Sequence, residues 1–285
     1  MLYYTDIHDG SPGSGTVGRA ASDESTGNPS LITGLTNPLG IAVSGTMLYV
    51  VSTDAGGNDG KVGAYSIDGA VINASLITGL TRPSGIAISG TDLFVSCSGS
   101  GKGTGIVGKY TTSGAPVNAS FITSANAPQG VLNMPYGIAV SGTILFVTNL
   151  HNQTGNDARV EMYDKSTGAC IGNAGVGLNQ PYGVAVSGSY VYWTDIGNGT
   201  IGKYGGDGTG LGAGPLVENN TLYSAIPDQY GIAAANGGLH GGSFLRQTIT
   251  SIGSDSFGPT ASIRGASLPA AGNIPEPSPR DSFPS

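Results

Sequence analysis

Short runs of alternating apolar and small residues, separated by glycine-rich turns, fill most of the chain. The clearest run is PLGIAVSGT at 38–46. Its alternation is typical of a β-strand, and Ser44-Gly45 is a two-residue turn signal. An aromatic-containing apolar run, Leu48-Tyr49-Val50, follows at once. The pair predicts a β-hairpin.

This phrase is a repeat. It returns from Pro83, Pro135 and Pro181, with a weaker copy around Tyr230. Successive anchor glycines, each the third residue of a phrase, lie 45, 52, 46 and 48 residues apart: Gly40, Gly85, Gly137, Gly183 and Gly231. That spacing suits four short strands with turns and is long for a leucine-rich solenoid, so each copy predicts one blade of a β-propeller.

The rest of each unit supplies two further strands. A third strand reads VGAY at 62–65 and recurs at 107–110, 160–163 and 201–204. The fourth is expected after an Asn-x-Ser/Thr step, such as those at Asn73 and Asn118. The step matches a glycan acceptor pattern, but its fixed place in the repeat indicates a turn-forming role.

The sequence therefore predicts an all-β, six-bladed β-propeller with four-stranded antiparallel blades, the first and last imperfect. The predicted blades are 1–35, 36–80, 81–132, 133–178, 179–225 and 226–267, followed by a disordered Pro-rich tail, 268–285. The chain opens on a second-strand phrase, LYYTD at 2–6, so the first blade lacks its inner strand. No convincing inner-strand copy follows residue 240.

Composition narrows the possible partners. Glycine accounts for 50 of 285 residues and charged residues for only 10%, which disfavours an α-rich fold. A net charge of −7 with scattered basic residues argues against nucleic acid and anionic lipid. Cys97 and Cys170 are expected to be packed thiols. No apolar run is long enough to span a bilayer, and Met1 is not followed by a leader pattern, so neither membrane insertion nor leader-directed export is expected.

Residues 1–240 resemble bacterial NHL-type propellers, in which Pro-x-Gly-Ile-Ala-Val opens a blade. The segment YWTDIGNGTI at 192–201 also resembles the YWTD blade of lipoprotein-receptor propellers, as does YYTD at 3–6. The Ser-Gly-Thr turns and IPEPS at 274–278 are similar to exported bacterial proteins with a PEP-CTERM sorting tail, although the expected apolar helix and basic end are replaced. This resemblance implies a secreted or cell-envelope location.

The residue before each anchor glycine is expected to lie at the axial mouth of a propeller. A rim there could stack a sugar or an extended peptide and hydrogen-bond its polar edges. The alternative is that the tyrosines only plug the channel. The predicted ligand-binding residues are Tyr136, Tyr182, Tyr230, Arg82, Gln180 and Gln229.

A second set of polar residues lies where second strands end. An oxygen-rich ring there could hold calcium, although Asp and Asn at strand ends commonly cap their own turns. These weaker candidates are Asp6, Asn149, Asp195, His8 and His151. Lactonase-type six-bladed propellers hold a central calcium ion, and streptogramin-lyase propellers, which share this style of repeat, use magnesium. No inner-strand glutamate and no surrounding histidine motif matches theirs, so no cofactor is expected.

No catalytic arrangement of Ser, His and Asp, reactive Cys or phosphate loop is recognisable. The sequence thus predicts a non-catalytic binding or scaffold propeller for a carbohydrate, peptide or protein. The alternative is a metal-dependent lyase or lactone hydrolase.

Overall fold

The computed structural model describes four four-stranded sheets and one three-stranded sheet, built largely from consecutive parts of the chain. It describes residues 1–8, 11–21, 26–54, 56–127, 131–150, 158–197 and 199–205, and the backbone of 251–252. The predicted tail, the predicted fourth strand of the fifth blade and nearly all of the predicted sixth blade lie outside these residues. None of the described segments is a helix long and apolar enough to cross a membrane.

Each sheet is one blade, and in blades 2 to 5 the strands follow chain order from the inside outward. Blade 1 contains β1 (Leu2–Asp6), β2 (Gly15–Ala20) and β3 (Gly27–Leu35). Blade 2 contains β4 (Pro38–Ser44), β5 (Met47–Ser52), β6 (Gly60–Ser66) and β7 (Val71–Leu80). Blade 3 contains β8 (Pro83–Ser89), β9 (Asp92–Cys97), β10 (Ile106–Thr111) and β11 (Pro116–Ile122).

The last two described blades follow the same order. Blade 4 contains β12 (Pro135–Ser141), β13 (Ile144–Asn149), β14 (Ala158–Asp164) and β15 (Cys170–Leu178). Blade 5 contains β16 (Pro181–Ser187), β17 (Tyr190–Asp195) and β18 (Thr200–Gly205). The chain is thus an all-β propeller with antiparallel blades, and the described residues form five of them where the sequence predicts six.

Blade 1 differs from the prediction at its inner edge. The two-residue strand β19 (Ser251–Ile252) pairs with β1 there, with Thr5 opposite Ser251. The pairing is parallel, whereas the inner strands of the other four blades are antiparallel to their neighbours. An unpaired strand edge leaves backbone groups unsatisfied, so a segment with no recognisable repeat phrase can still occupy this position.

The repeat phrases form the inner strands of blades 2 to 5, as the sequence predicts. These strands, β4, β8, β12 and β16, lie side by side in chain order, and β1 of blade 1 packs against β4. The anchor glycines mark their closest approach, since a Cβ atom on Gly40 would lie 2.7 Å from the carbonyl oxygen of Ser84 in the next blade. A Cβ on Gly137 would likewise collide with the backbone of Tyr182. Only glycine allows neighbouring blades to come this close.

The apolar core lies between blades. Large apolar side chains from each second and third strand face those of the next blade, giving separate clusters between blades 1 and 2, 2 and 3, 3 and 4, and 4 and 5. Leu93, Phe94, Leu145 and Phe146 are completely buried in these layers. Stability therefore depends on how each blade packs against its neighbours.

The Asn-x-Ser step lies inside the fourth strand and does not precede it. β7 begins at Val71, and its pairing with β6 shifts register between Ala64↔Asn73 and Val62↔Ile77. The Asn73 Oδ1 accepts the backbone N–H of Ser75 at 3.0 Å, and Asn118 does the same for Ser120. This Asx bond coincides with the register shift, so the step lies at a bulge within the strand, whereas the sequence predicts a turn before the strand.

Candidate functional site

One face of the propeller collects the segments before each inner strand and after each second strand. The register shows this directly, because Pro135 at the start of β12 pairs with Asn149 at the end of β13, and Pro181 pairs with Asp195. We call the residues before the anchor glycines on this face the axial mouth: Leu39, Ser84, Tyr136 and Tyr182. Tyr230 and Gln229, also predicted there, lie outside the described residues.

Two of the predicted tyrosines are brought together. The ring centroids of Tyr136 and Tyr182 are 4.4 Å apart, and the rings are tilted by 51°. Both residues are half-buried, so part of the surface of each residue is accessible. Tilted aromatic pairs of this kind are rigid and present apolar surface beside a polar hydroxyl.

The polar neighbours predicted at the mouth are accessible. Arg82 and Gln180 are exposed, each directly before the proline that opens its blade. Arg82 has a left-handed backbone, with φ of 50°, as do the equivalent residues Asn37 and Met134. Such conformations are uncommon for residues other than glycine and are retained only where the surroundings hold them.

Hydrogen bonds from two hydroxyl side chains to the backbone hold the strands that carry the mouth tyrosines. Thr148 on β13 accepts the N–H of Gly137 at 2.8 Å and donates to the carbonyl of Tyr182 in the next blade at 2.9 Å. Ser96 accepts the Gly85 N–H at 2.9 Å and donates to the Tyr136 carbonyl at 2.5 Å. Each buried hydroxyl therefore joins two blades at the position that carries a mouth tyrosine.

Two of the polar residues at second-strand ends hold the segments that lead into inner strands. Asp195 is 1% exposed, and its carboxylate accepts the backbone N–H groups of Gln180 at 2.8 Å and Asn179 at 3.1 Å. Asn149 is fully buried and accepts the Asn133 N–H at 3.0 Å. Each side chain therefore bonds to the backbone segment that leads into the inner strand of its own blade.

The remaining candidates of that set lie in blade 1 or outside the described residues. Asp6 and His8 form a pair, with Oδ1 and Nδ1 2.9 Å apart, and both side chains are partly exposed. His151 lies outside the described residues. Within the described ranges, no three side chains of His, Cys, Asp or Glu converge in a way that could hold a metal ion.

A buried carboxyl group that sequence reasoning did not assign to the site lies beside Asn149. Glu161 on β14 is 1% exposed; its Oε1 accepts from Asn149 Nδ2 at 3.1 Å, and its Oε2 accepts the hydroxyl of Tyr163. Burial and the neighbouring Glu161 charge raise the pKa of Tyr163, so its hydroxyl stays protonated and can donate. The available signal was the repeat itself, because glycine occupies this position in the other four described blades.

The two cysteines are free thiols in the described structure. Cys97 is buried and Cys170 is half-buried. Burial raises the pKa of Cys97 to about 12, so its thiol is protonated and poorly nucleophilic at neutral pH. The predicted packed role of Cys97 agrees with this environment.

Comparison with known proteins identifies the fold. No family model matches the chain, and no curated protein matches it in sequence. A chain in the crystal structure of a nidogen–laminin complex superposes with a TM-score of 0.62 at 14% identity, covering 79% of this chain and 81% of that one.

Two bacterial proteins superpose less closely. A gluconolactonase from Xanthomonas campestris gives a TM-score of 0.52 at 17% identity, covering 72% of this chain and 68% of its own. Regucalcin from Agrobacterium tumefaciens, described as calcium-binding, gives 0.51 at 10% identity, covering 70% and 64%. At such low identity the superpositions support the fold alone. The chain is similar in structure to β-propeller proteins.

Proposed function

We propose that this chain is a non-catalytic binding propeller that holds a carbohydrate, peptide or protein at its axial mouth. The observation that carries the proposal is the Tyr136–Tyr182 pair, two half-buried rings from adjacent blades with centroids 4.4 Å apart. Their backbones are fixed by part-buried inter-blade hydrogen bonds, so the pair is ordered before a ligand arrives. Pre-ordered aromatic groups lose little conformational entropy on binding.

The exposed amide of Gln180 and guanidinium of Arg82 lie on the same face and supply donors and acceptors for the polar edge of a ligand. A binding role also agrees with the similarity to a chain from the nidogen–laminin complex, whose name describes an assembly of proteins. A location outside the cell, as the PEP-CTERM resemblance implies, belongs to the same proposal.

The test is a binding screen of the purified chain against immobilised oligosaccharides and proline- or aromatic-rich peptides. Loss of one stacking ring is expected to weaken binding roughly tenfold, so Tyr136→Ala and Tyr182→Ala should each lower affinity by about that factor. The matched control is Tyr190→Ala. Tyr190 is also half-buried and packs near Tyr192, with centroids 6.3 Å apart, but it begins β17 at the opposite end of the blade.

Binding that both mouth variants retain would contradict the proposal. The similarity to a gluconolactonase and a calcium-binding regucalcin makes a metal-dependent hydrolase or lyase the competing outcome. A rise in melting temperature on adding Ca²⁺ or Mg²⁺, reversed by EDTA, would favour that outcome over ours.

We further propose that a sixth blade follows blade 5, as the repeat predicts. Thr194 accepts the Gly183 N–H at 3.0 Å, just as Thr148 accepts that of Gly137. Because Thr148 also donates to the next blade, we expect the Thr194 hydroxyl to donate to a sixth blade in the same way. Thr194→Val should then destabilise the protein as much as Thr148→Val. A much smaller effect at Thr194 would argue against the sixth blade.

A further inference from the structure

Blade 4 departs from the repeat at a buried position of its third strand. Glycine occupies this position in the other four described blades: Gly18, Gly63, Gly108 and Gly202. At each of these glycines a Cβ atom would collide with an aromatic ring, for example that of Tyr65 at Gly63. In blade 4 the same position holds Glu161, which pairs with Val147 as Gly63 pairs with Val50.

The substitution changes what the neighbouring tyrosine does. Tyr65 and Tyr110 lie against the glycines of their own strands, whereas the Tyr163 hydroxyl donates to Glu161 Oε2 at 2.5 Å. Glu161 is 1% exposed and Tyr163 is fully buried. A carboxyl group in such a place must be hydrogen-bonded, or it would strongly destabilise the fold.

Asn149 connects this carboxyl group to the axial mouth. Its Nδ2 donates both to Glu161 Oε1 at 3.1 Å and to the Val131 carbonyl at 3.0 Å, while its Oδ1 accepts the Asn133 N–H at 3.0 Å. The Glu161 oxygen fixes which end of the amide faces inward, because Oε1 accepts the hydrogen bond and only the Nδ2 end of the amide can donate one. The amide then matches one carbonyl and one N–H of the segment 131–133.

That segment leads directly into the mouth. Met134 follows it in a left-handed conformation, with φ of 51°, and Pro135 and Tyr136 come next. A residue in this conformation persists only when its surroundings hold it in place. Asn149 holds the backbone immediately before it.

We propose that Glu161 and Asn149 are positioning residues of the axial mouth, which fix the segment 131–134 and thereby the placement of Tyr136. For its ligand this inference rests on the proposed function, but the hydrogen-bond network can be tested without one. Neither residue contacts the ligand in this proposal; both act by ordering the segment before binding.

The main test restores the blade 2 pattern. Blade 2 carries Ser52, Gly63 and Tyr65 where blade 4 carries Asn149, Glu161 and Tyr163. The double variant Asn149→Ser/Glu161→Gly therefore uses residues that another blade accommodates. We expect backbone amide hydrogen exchange over 132–136 to become at least tenfold faster. Ser52→Ala in blade 2 is the control and should leave that segment unchanged.

A conservative variant separates positioning from simple packing. Glu161→Gln keeps the side-chain size and one acceptor oxygen for Asn149, so exchange over 132–136 should stay within threefold of wild type. The proposal would be overturned if the folded double variant also exchanged within threefold of the wild-type rate over 132–136.

The wild-type protein provides a measurement that does not depend on the variants folding. The Asn149 side-chain amide protons should exchange at least a hundredfold more slowly than those of the exposed Asn73. Equal rates would overturn the network. If the exchange results hold but no oligosaccharide or peptide binds the wild type, then the proposed function fails and the ordering of the mouth stands. If a ligand binds, the double variant should bind it at least fivefold more weakly.

Discussion

The inter-blade hydroxyl of Thr148 offers the sharpest test of how this propeller is held together. Thr148 is fully buried and joins the Gly137 N–H of its own blade to the Tyr182 carbonyl of the next. Thr148→Val replaces the hydroxyl by a methyl group of nearly the same size. The change removes two hydrogen bonds and leaves one donor and one acceptor without their partner.

The expected loss follows from these two groups. Leaving a buried polar group unsatisfied costs about 1–3 kcal/mol. Because both backbone groups are only partly buried, we take the lower half of that range for each and expect a total of about 2–4 kcal/mol. For a domain of this size, that loss corresponds to a fall in melting temperature of roughly 4–8 °C. Valine itself fits the position, because Val51 is the equivalent residue in blade 2 and is fully buried.

The assay is urea denaturation followed by the fluorescence of the single tryptophan, Trp193, with thermal melting as a second measurement. Thr148→Ser keeps the hydroxyl, as Ser96 does in blade 3, and should lose only about 1 kcal/mol for the missing methyl group. Thr143→Val makes the same replacement at an exposed turn and should have almost no effect. If Thr148→Val is no less stable than Thr148→Ser, the hydroxyl does not join the blades as we infer.

Three further predictions follow from individual environments. Gly202→Ala should destabilise the protein by about 1–3 kcal/mol and shift Trp193 emission, because the new Cβ would collide with the Trp193 ring; unchanged emission and stability would contradict this packing. At pH 8, Cys97, whose pKa burial raises to about 12, should resist a thiol reagent until urea unfolds the chain, and the half-buried Cys170 should react first; the reverse order would be inconsistent with the structure. Hydrogen bonds from the side chains and amides of the following turn lower the pKa of Asp164 to about 2. Since the folded pKa lies below the unfolded value, the stability contributed by Asp164 is present above about pH 4 and is lost as pH falls toward 2. The stability difference between wild type and Asp164→Asn should therefore shrink over that window, and a constant difference would refute the assignment.

Much of the fold could be predicted because its signals are local. The alternation of apolar and small residues, the Ser-Gly turns and the regular glycine spacing each depend on neighbours along the chain. They gave the correct strand order within blades and the correct class of fold. They also placed Tyr136 and Tyr182 at equivalent positions of adjacent blades, which the structure brings within 4.4 Å.

Other features could not be predicted locally. The Asn73 step lies within β7, because pairing with β6 extends the strand on both sides of the bulge. The inner edge of blade 1 pairs with Ser251–Ile252, a segment that carries no repeat phrase. Both outcomes depend on satisfying backbone groups between strands, and the sequence pattern of one strand does not contain that requirement.

The sequence by itself determined the blade: its period, its four strands and the glycines at its inner edge. Only the tertiary structure decided what the polar residues at the blade ends do. Asn149 and Asp195 hold backbone segments of their own blades, and Glu161, which the sequence shows only as a departure from glycine, lies buried between Tyr163 and Asn149. The physical reason is that burial and hydrogen-bond partners are set by packing across strands and blades, whereas turns and strand periodicity are set along the chain.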